Sequence, residues 1–77
     1  MSSNAYHSPT KRSVTIAGHE TSISLEPVFW RGLESAAKAE GLPVNALIAR
    51  IDVERLDTPS GAPNLTSAIR QWLYLRK

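Results

Sequence analysis

Seventy-seven residues without a cysteine exclude disulfides, iron–sulfur clusters and thiolate zinc sites as stabilising devices. Nine Lys and Arg against seven Asp and Glu leave a net charge of +2, and 42% hydrophobic with 21% charged residues excludes an intrinsically disordered chain. A monomer of this size buries only about 60% of the surface of its unfolded chain, so self-association is the expected remaining support. No apolar run approaches the roughly 20 residues of a membrane span, and no signal-peptide core follows Met1. A cytoplasmic protein without membrane contact is expected.

The first ten residues are Ser-, Asn- and Pro-containing and aperiodic, which predicts a flexible arm over 1–10. Lys11 and Arg12 follow, and no carboxylate occurs before Glu20. Ser13–Ile16 and Thr21–Leu25 alternate apolar with hydroxyl residues, the period of half-exposed strands. The link Ala17-Gly18-His19-Glu20 closes them into a hairpin with Ile16 opposite Thr21 and Val14 opposite Ile23. The other face carries Ser13, Thr15, Ser22 and Ser24. Short uncharged hydroxyls there, in place of long charged side chains, suggest a second contact surface.

Glu26-Pro27 opens a helix predicted over 27–40, with Pro in the first turn, where its missing N–H costs nothing. Phe29, Leu33, Ala36 and Ala37 form its apolar stripe, and Gly41 ends it. Val44, Leu47, Ile48 and Ile51 mark a second helix over 43–55. The stretch from Asp57 to Pro63 is a loop. Asn64 or Thr66 caps a third helix over 65–76, whose stripe is Leu65, Ala68, Ile69, Trp72 and Leu73. Trp30 and Trp72 read as packing residues, and Glu34 and Lys38 as an i,i+4 surface pair.

A strand, a helix, a Gly turn and a second helix in this order resemble the ribbon-helix-helix family of DNA-binding proteins. The resemblance is carried by Thr21-Ser22-Ile23-Ser24-Leu25-Glu26-Pro27, the Leu33/Ala37 stripe, Gly41, and Val44-Asn45-Ala46-Leu47-Ile48. The upstream string Lys11 to His19 and the pair Phe29-Trp30 are similar to a bacterial subgroup with extra residues before the strand and a third helix. The resemblance covers Lys11 to about Arg76. It implies a mainly α fold with a short N-terminal β-ribbon, intertwined as a homodimer. Its core would be Ile23, Leu25, Phe29, Leu33, Leu47, Ile48 and Ile51.

It further implies that the ribbon enters the major groove of double-stranded DNA. Glu20, Ser22 and Ser24 would read bases, and Lys11, Arg12, His19, Val44 and Asn45 would contact phosphate. Glu20 and Pro43 depart from the family pattern. A carboxylate at the groove is repelled by phosphate unless it accepts from a cytosine amino group, and Pro43 brings neither a capping oxygen nor an N–H. The expected role is a nucleoid-associated transcriptional repressor. The alternative is an antitoxin-like or adaptor protein that binds a partner through Trp72 and Tyr74 on the third helix.

Chemistry beyond binding has little to stand on. The chain has no nucleophile elbow, phosphate-binding loop or HExxH motif. Its two histidines, His7 and His19, have no cysteine partner and make a poor metal site. No enzyme activity, metal or cofactor is expected.

Overall fold

Two residues, Ala17 and Gly18, join strand β1 (Thr10–Ile16) to strand β2 (His19–Leu25). Both take positive φ, 52° and 83°, the type I′ geometry whose twist matches that of the flanking strands. The turn is therefore shorter than the four-residue link expected from the sequence, and the pairing shifts by two. Ile16 faces His19, Val14 faces Thr21 and Arg12 faces Ile23. A shift by two leaves each side chain on its original face. Val14, Ile23 and Leu25 are buried beneath the hairpin, and Ser13, Thr15, Ser22 and Ser24 are exposed above it.

This is a computed structural model that describes residues 6–76. Of the arm expected over 1–10, residues 1–5 lie outside the described residues, and Thr10 already belongs to β1. Both strands reach further than the hydroxyl-alternation pattern indicated.

Helix α1 (Pro27–Glu40) begins at Pro27 and ends at Gly41, which adopts the left-handed conformation (φ 70°, ψ 30°). The Gly41 N–H donates to the Lys38 carbonyl and the Leu42 N–H to the Ala37 carbonyl, the paired bonds of a Schellman ending. Helix α2 (Val44–Leu56) starts one residue later than the sequence suggested. Pro43 is its cap residue, extended at ψ 153°, because proline supplies the turn but not an intrahelical donor. Helix α3 (Leu65–Leu75) is capped by Asn64, whose side-chain oxygen accepts from the Ser67 N–H at 2.8 Å. Thr66 instead donates its hydroxyl to that same oxygen.

The core is built within one chain. Val14, Ile23 and Leu25 from the sheet meet Trp30, Leu33, Ala36 and Ala37 from α1, with Leu47, Ile48 and Ile51 from α2 and Ala68 and Ile69 from α3. Ile23, Leu25, Leu33, Leu47, Ile48 and Ile51, the residues expected at the core of a dimer, all lie in this core. Each is at most 2% exposed in the chain alone. Two elements outside the strand-helix-helix core, β1 and α3, fill the space. Phe29 alone of that set remains half-buried. Trp30, one residue on, takes the deep position at 1% exposure, while Leu33, Ala36 and Ala37 of the expected stripe are buried as well.

The apolar surface left outside the core is substantial: Val28, Val53, Leu56, Tyr74 and Leu75 are all more than half exposed. Among the described residues no helix is long and apolar enough to cross a membrane.

The turn offers a direct test. Alanine at φ 52° sits in a region that non-glycine residues occupy at a cost of roughly 1–2 kcal/mol, and asparagine tolerates it best. Ala17→Asn creates the Asn-Gly pair favoured in such turns and is expected to stabilise the chain by about 0.5–1 kcal/mol. A rise in the thermal unfolding midpoint measured by circular dichroism checks this.

Candidate nucleic-acid interface

The hairpin is presented in one orientation because its inner face is anchored to α1. The Trp30 indole N–H donates to the Thr10 carbonyl at 2.8 Å. The Arg12 guanidinium lies 4.5 Å from the centre of the Trp30 ring, within cation–π range. Arg12 also donates to Glu34 on α1 at 3.0 Å. Glu34 thus pairs across 22 residues with β1, not with Lys38 one turn away. Arg12 belongs to the side of the sheet that faces the helices, opposite to Ser22 and Ser24, and its charge is already matched.

With the inner face fixed, the outer face is a single surface drawn from both strands. Lys11 stands opposite Ser24, Ser13 opposite Ser22, and Thr15 opposite Glu20. All six are exposed. Ser13 and Ser22 thus form the middle rung, with Lys11 beside Ser24 at one end and Glu20 beside Thr15 at the other. Hydroxyls donate to or accept from base edges and donate to phosphate oxygens, so the surface is adaptable and weakly charged. His19 is exposed beside the turn, on the inner-face register with Ile16. Of the residues expected to read bases, Glu20, Ser22 and Ser24 lie together here. Of those expected at phosphate, only Lys11 shares this face.

Val44 and Asn45 lie at the start of α2, away from the sheet in sequence. The first intrahelical bond there runs from the Leu47 N–H to the Pro43 carbonyl at 3.1 Å, and no side chain caps this end. The N–H groups of Val44, Asn45 and Ala46 therefore have no partner within the helix. They sit at the positive end of its dipole, an arrangement suited to an anion.

Four other arginines, Arg50, Arg55, Arg70 and Arg76, hold the helices together. Arg70 on α3 grips Glu26 at the start of α1 with its Nε and Nη2 at 3.1 and 3.0 Å. Glu40 at the end of α1 accepts from Arg50 of α2 at 3.1 Å and from Arg76 beyond α3 at 3.2 Å. Arg55 pairs with Asp52 at 2.7 Å and donates to the Pro63 carbonyl, tying α2 to the loop before α3. Most of the chain's guanidinium charge is spent internally, which makes Lys11 the cation of the outer sheet face. These long-range pairs carry no local sequence signal and were not legible before the fold.

Both bridging carboxyls are held below the ordinary value of 4.5. A backbone hydrogen bond is the main cause for Glu26, followed by the Arg70 side chain. For Glu40 it is the Arg50 hydrogen bond, followed by Arg76. Among the described residues no group of three or more His, Cys, Asp or Glu side chains could hold a metal ion.

A two-stranded ribbon followed by this helix pair is the architecture of one class of DNA-binding regulator. The sequence matches the ribbon-helix-helix domain over residues 9–76; the chain belongs to this family of DNA-binding proteins, whose fold is not an enzymatic one. Among solved structures it is similar to an uncharacterized protein from Bordetella pertussis Tohama I, with 36% sequence identity and a TM-score of 0.73. That likeness covers 87% of this chain but 54% of the other, so the present chain spans about half of that protein's length. No curated protein matches the chain significantly.

Glu26 and Glu40 set a pH dependence. A carboxyl lowered in the folded state contributes stability that is present above its unfolded value and is lost as pH falls through the folded one. Unfolding midpoints in urea are expected to drop as pH is lowered below 4.5. Glu40→Gln should flatten that acid limb, which a midpoint-versus-pH series measures.

Proposed function

We propose that the protein binds DNA sequence-specifically as a homodimer, with the outer face of its sheet in the major groove, and that it represses transcription by occupying its operator. The observation that carries this reading is the exposed surface of Ser13, Thr15, Ser22 and Ser24 beside Lys11 on a ribbon-helix-helix chain. Ser22 and Ser24 read base edges, modestly, because a hydroxyl serves several bases. Lys11 and the free N–H groups of Val44 and Asn45 hold phosphates. Dimerisation is supported by the family, whose members typically pair, and the exposed Val28, Val53, Leu56, Tyr74 and Leu75 offer apolar side chains that a partner could cover.

Glu20 shares the outer face and lowers affinity for any sequence that offers it no cytosine amino group. With few cations on the sheet, binding is moderate and its salt dependence shallow. A band-shift titration against genomic fragments, at low and high salt, tests the function. A shift at about micromolar dimer in low salt is expected, sharpening on fragments that contain a palindrome. Absence of any shift defeats the proposal. Glu20→Gln is expected to raise affinity for unselected DNA severalfold, which the same titration reads.

One observation favours a second reading, in which α3 docks a protein partner. Tyr74 is 85% exposed and Leu75 70% exposed at the end of that helix, and Phe29 completes an apolar groove beside them. Trp72 is half-buried beneath Arg76, which leaves Tyr74 as the contact residue. A co-purifying protein lost on Tyr74→Ser, with DNA binding intact, would establish an adaptor role.

A further inference from the structure

In this chain β2 enters the dimer already paired. Its seven residues are matched one to one with β1, and among the described residues the sheet has no third strand. One edge of β2 is therefore occupied and the other is open. In a hairpin closed by a two-residue turn, the pair flanking the turn, here Ile16 and His19, exchanges both backbone hydrogen bonds, and such pairs then alternate along the ladder. The backbone groups of Glu20, Ser22 and Ser24 consequently point to the open edge. If the strands before the helices pair about a dyad, as the dimeric reading above requires, β2 meets β2 of the second copy along that edge. The product is a four-stranded sheet in the order β1, β2, β2, β1.

Width then decides what each strand can touch. Adjacent strands lie about 4.8 Å apart, so the inner pair fits a major groove about 12 Å wide. The two outer strands are three spacings apart, roughly 14 Å between their axes before side chains are counted. They cannot follow the inner pair down to the bases and must lie over the walls of the groove, where the phosphates are. The outward side chains of β1 are Lys11, Ser13 and Thr15, one cation and two hydroxyls, all able to donate to phosphate oxygen.

From this geometry we infer that β1 is a phosphate-contacting strand: Lys11, Ser13 and Thr15 clamp the backbone on both sides of the groove while Ser22 and Ser24 of β2 face the bases. The inference rests on the DNA-binding reading proposed above and adds to it a division of labour between the two strands. Arg12 is excluded from the clamp by its place on the inner face against Trp30 and Glu34.

The test has two arms. The first locates the seam without DNA, exploiting a chain that has no native cysteine. Ser22→Cys and Ser13→Cys proteins are treated with a short bis-maleimide reaching about 8 Å, the distance of diagonal neighbours on paired strands. Ser22→Cys is expected to give covalent dimer and Ser13→Cys is not; efficient crosslinking at Ser13 would put β1 at the seam and overturn the inference. The second arm is a band-shift series with selected and unselected fragments, each variant verified as folded by circular dichroism. Lys11→Gln should make the log–log salt dependence shallower by about two, one lysine per protomer. The double variant Ser13→Ala, Thr15→Val should weaken all sequences alike, by about tenfold, whereas Ser22→Ala and Ser24→Ala should change sequence preference. If wild-type protein binds and the β1 variants match it in affinity and salt dependence, this inference alone fails. If wild-type protein binds no fragment, the DNA-binding reading fails with it.

Discussion

The placement of Trp30 governs how the rest of the chain is presented. A buried indole must satisfy its N–H, and here the acceptor is a backbone carbonyl of β1. Arg12 closes over the ring and reaches Glu34, so sheet and helix are joined by packing, a hydrogen bond and an ion pair at one point. This junction determines which side of the hairpin is covered. Once Val14, Ile23 and Leu25 are turned toward α1 and α2, the alternation of a strand leaves the hydroxyls facing out. The candidate DNA surface is thus a by-product of core formation, with no separate element to hold it.

The same economy governs charge. Arginine suits fixed bidentate pairing with carboxylates, and the chain uses Arg50, Arg70 and Arg76 to lock α2 and α3 onto α1 through Glu26 and Glu40. Such partly exposed pairs contribute little stability singly. Their value here is geometric, since they settle where α3 lies. The net charge of +2 therefore says little about how the chain meets DNA, because most of its positive groups are turned inward to carboxylates. A small number of cations and a row of hydroxyls make a surface whose recognition rests on hydrogen bonding more than on charge.

Much of this was legible in the sequence because it depends on short-range rules. Pro27 and Gly41 mark the ends of α1, Asn64 caps α3, and the alternation in Thr21–Leu25 separates the inner from the outer face. The hairpin register was misjudged because alanine seldom takes positive φ, so Ala17-Gly18 did not announce a two-residue turn. The exchange of Phe29 for Trp30 at the head of the α1 stripe was hidden as well. Phe29 and Trp30 are adjacent aromatics, and only the position of β1 decides which is covered. Whether the core would close within a chain or between chains could not be judged from a list of apolar residues. That depends on β1 and α3 arriving from opposite ends of the sequence to cover α2.

The tight turn between the strands also bears on the order of assembly. A hairpin closed by two residues forms in about 1–10 μs, whereas docking of subunits takes milliseconds or longer and depends on concentration. In the proposed dimer each β2 strand would therefore meet its partner as one half of a finished ladder, with its register against β1 already set by Ala17-Gly18. Free single strands invite mispairing and aggregation. Pre-pairing removes half of that opportunity before two chains collide, so in the proposed dimer the extra N-terminal strand would act as a built-in guide for association.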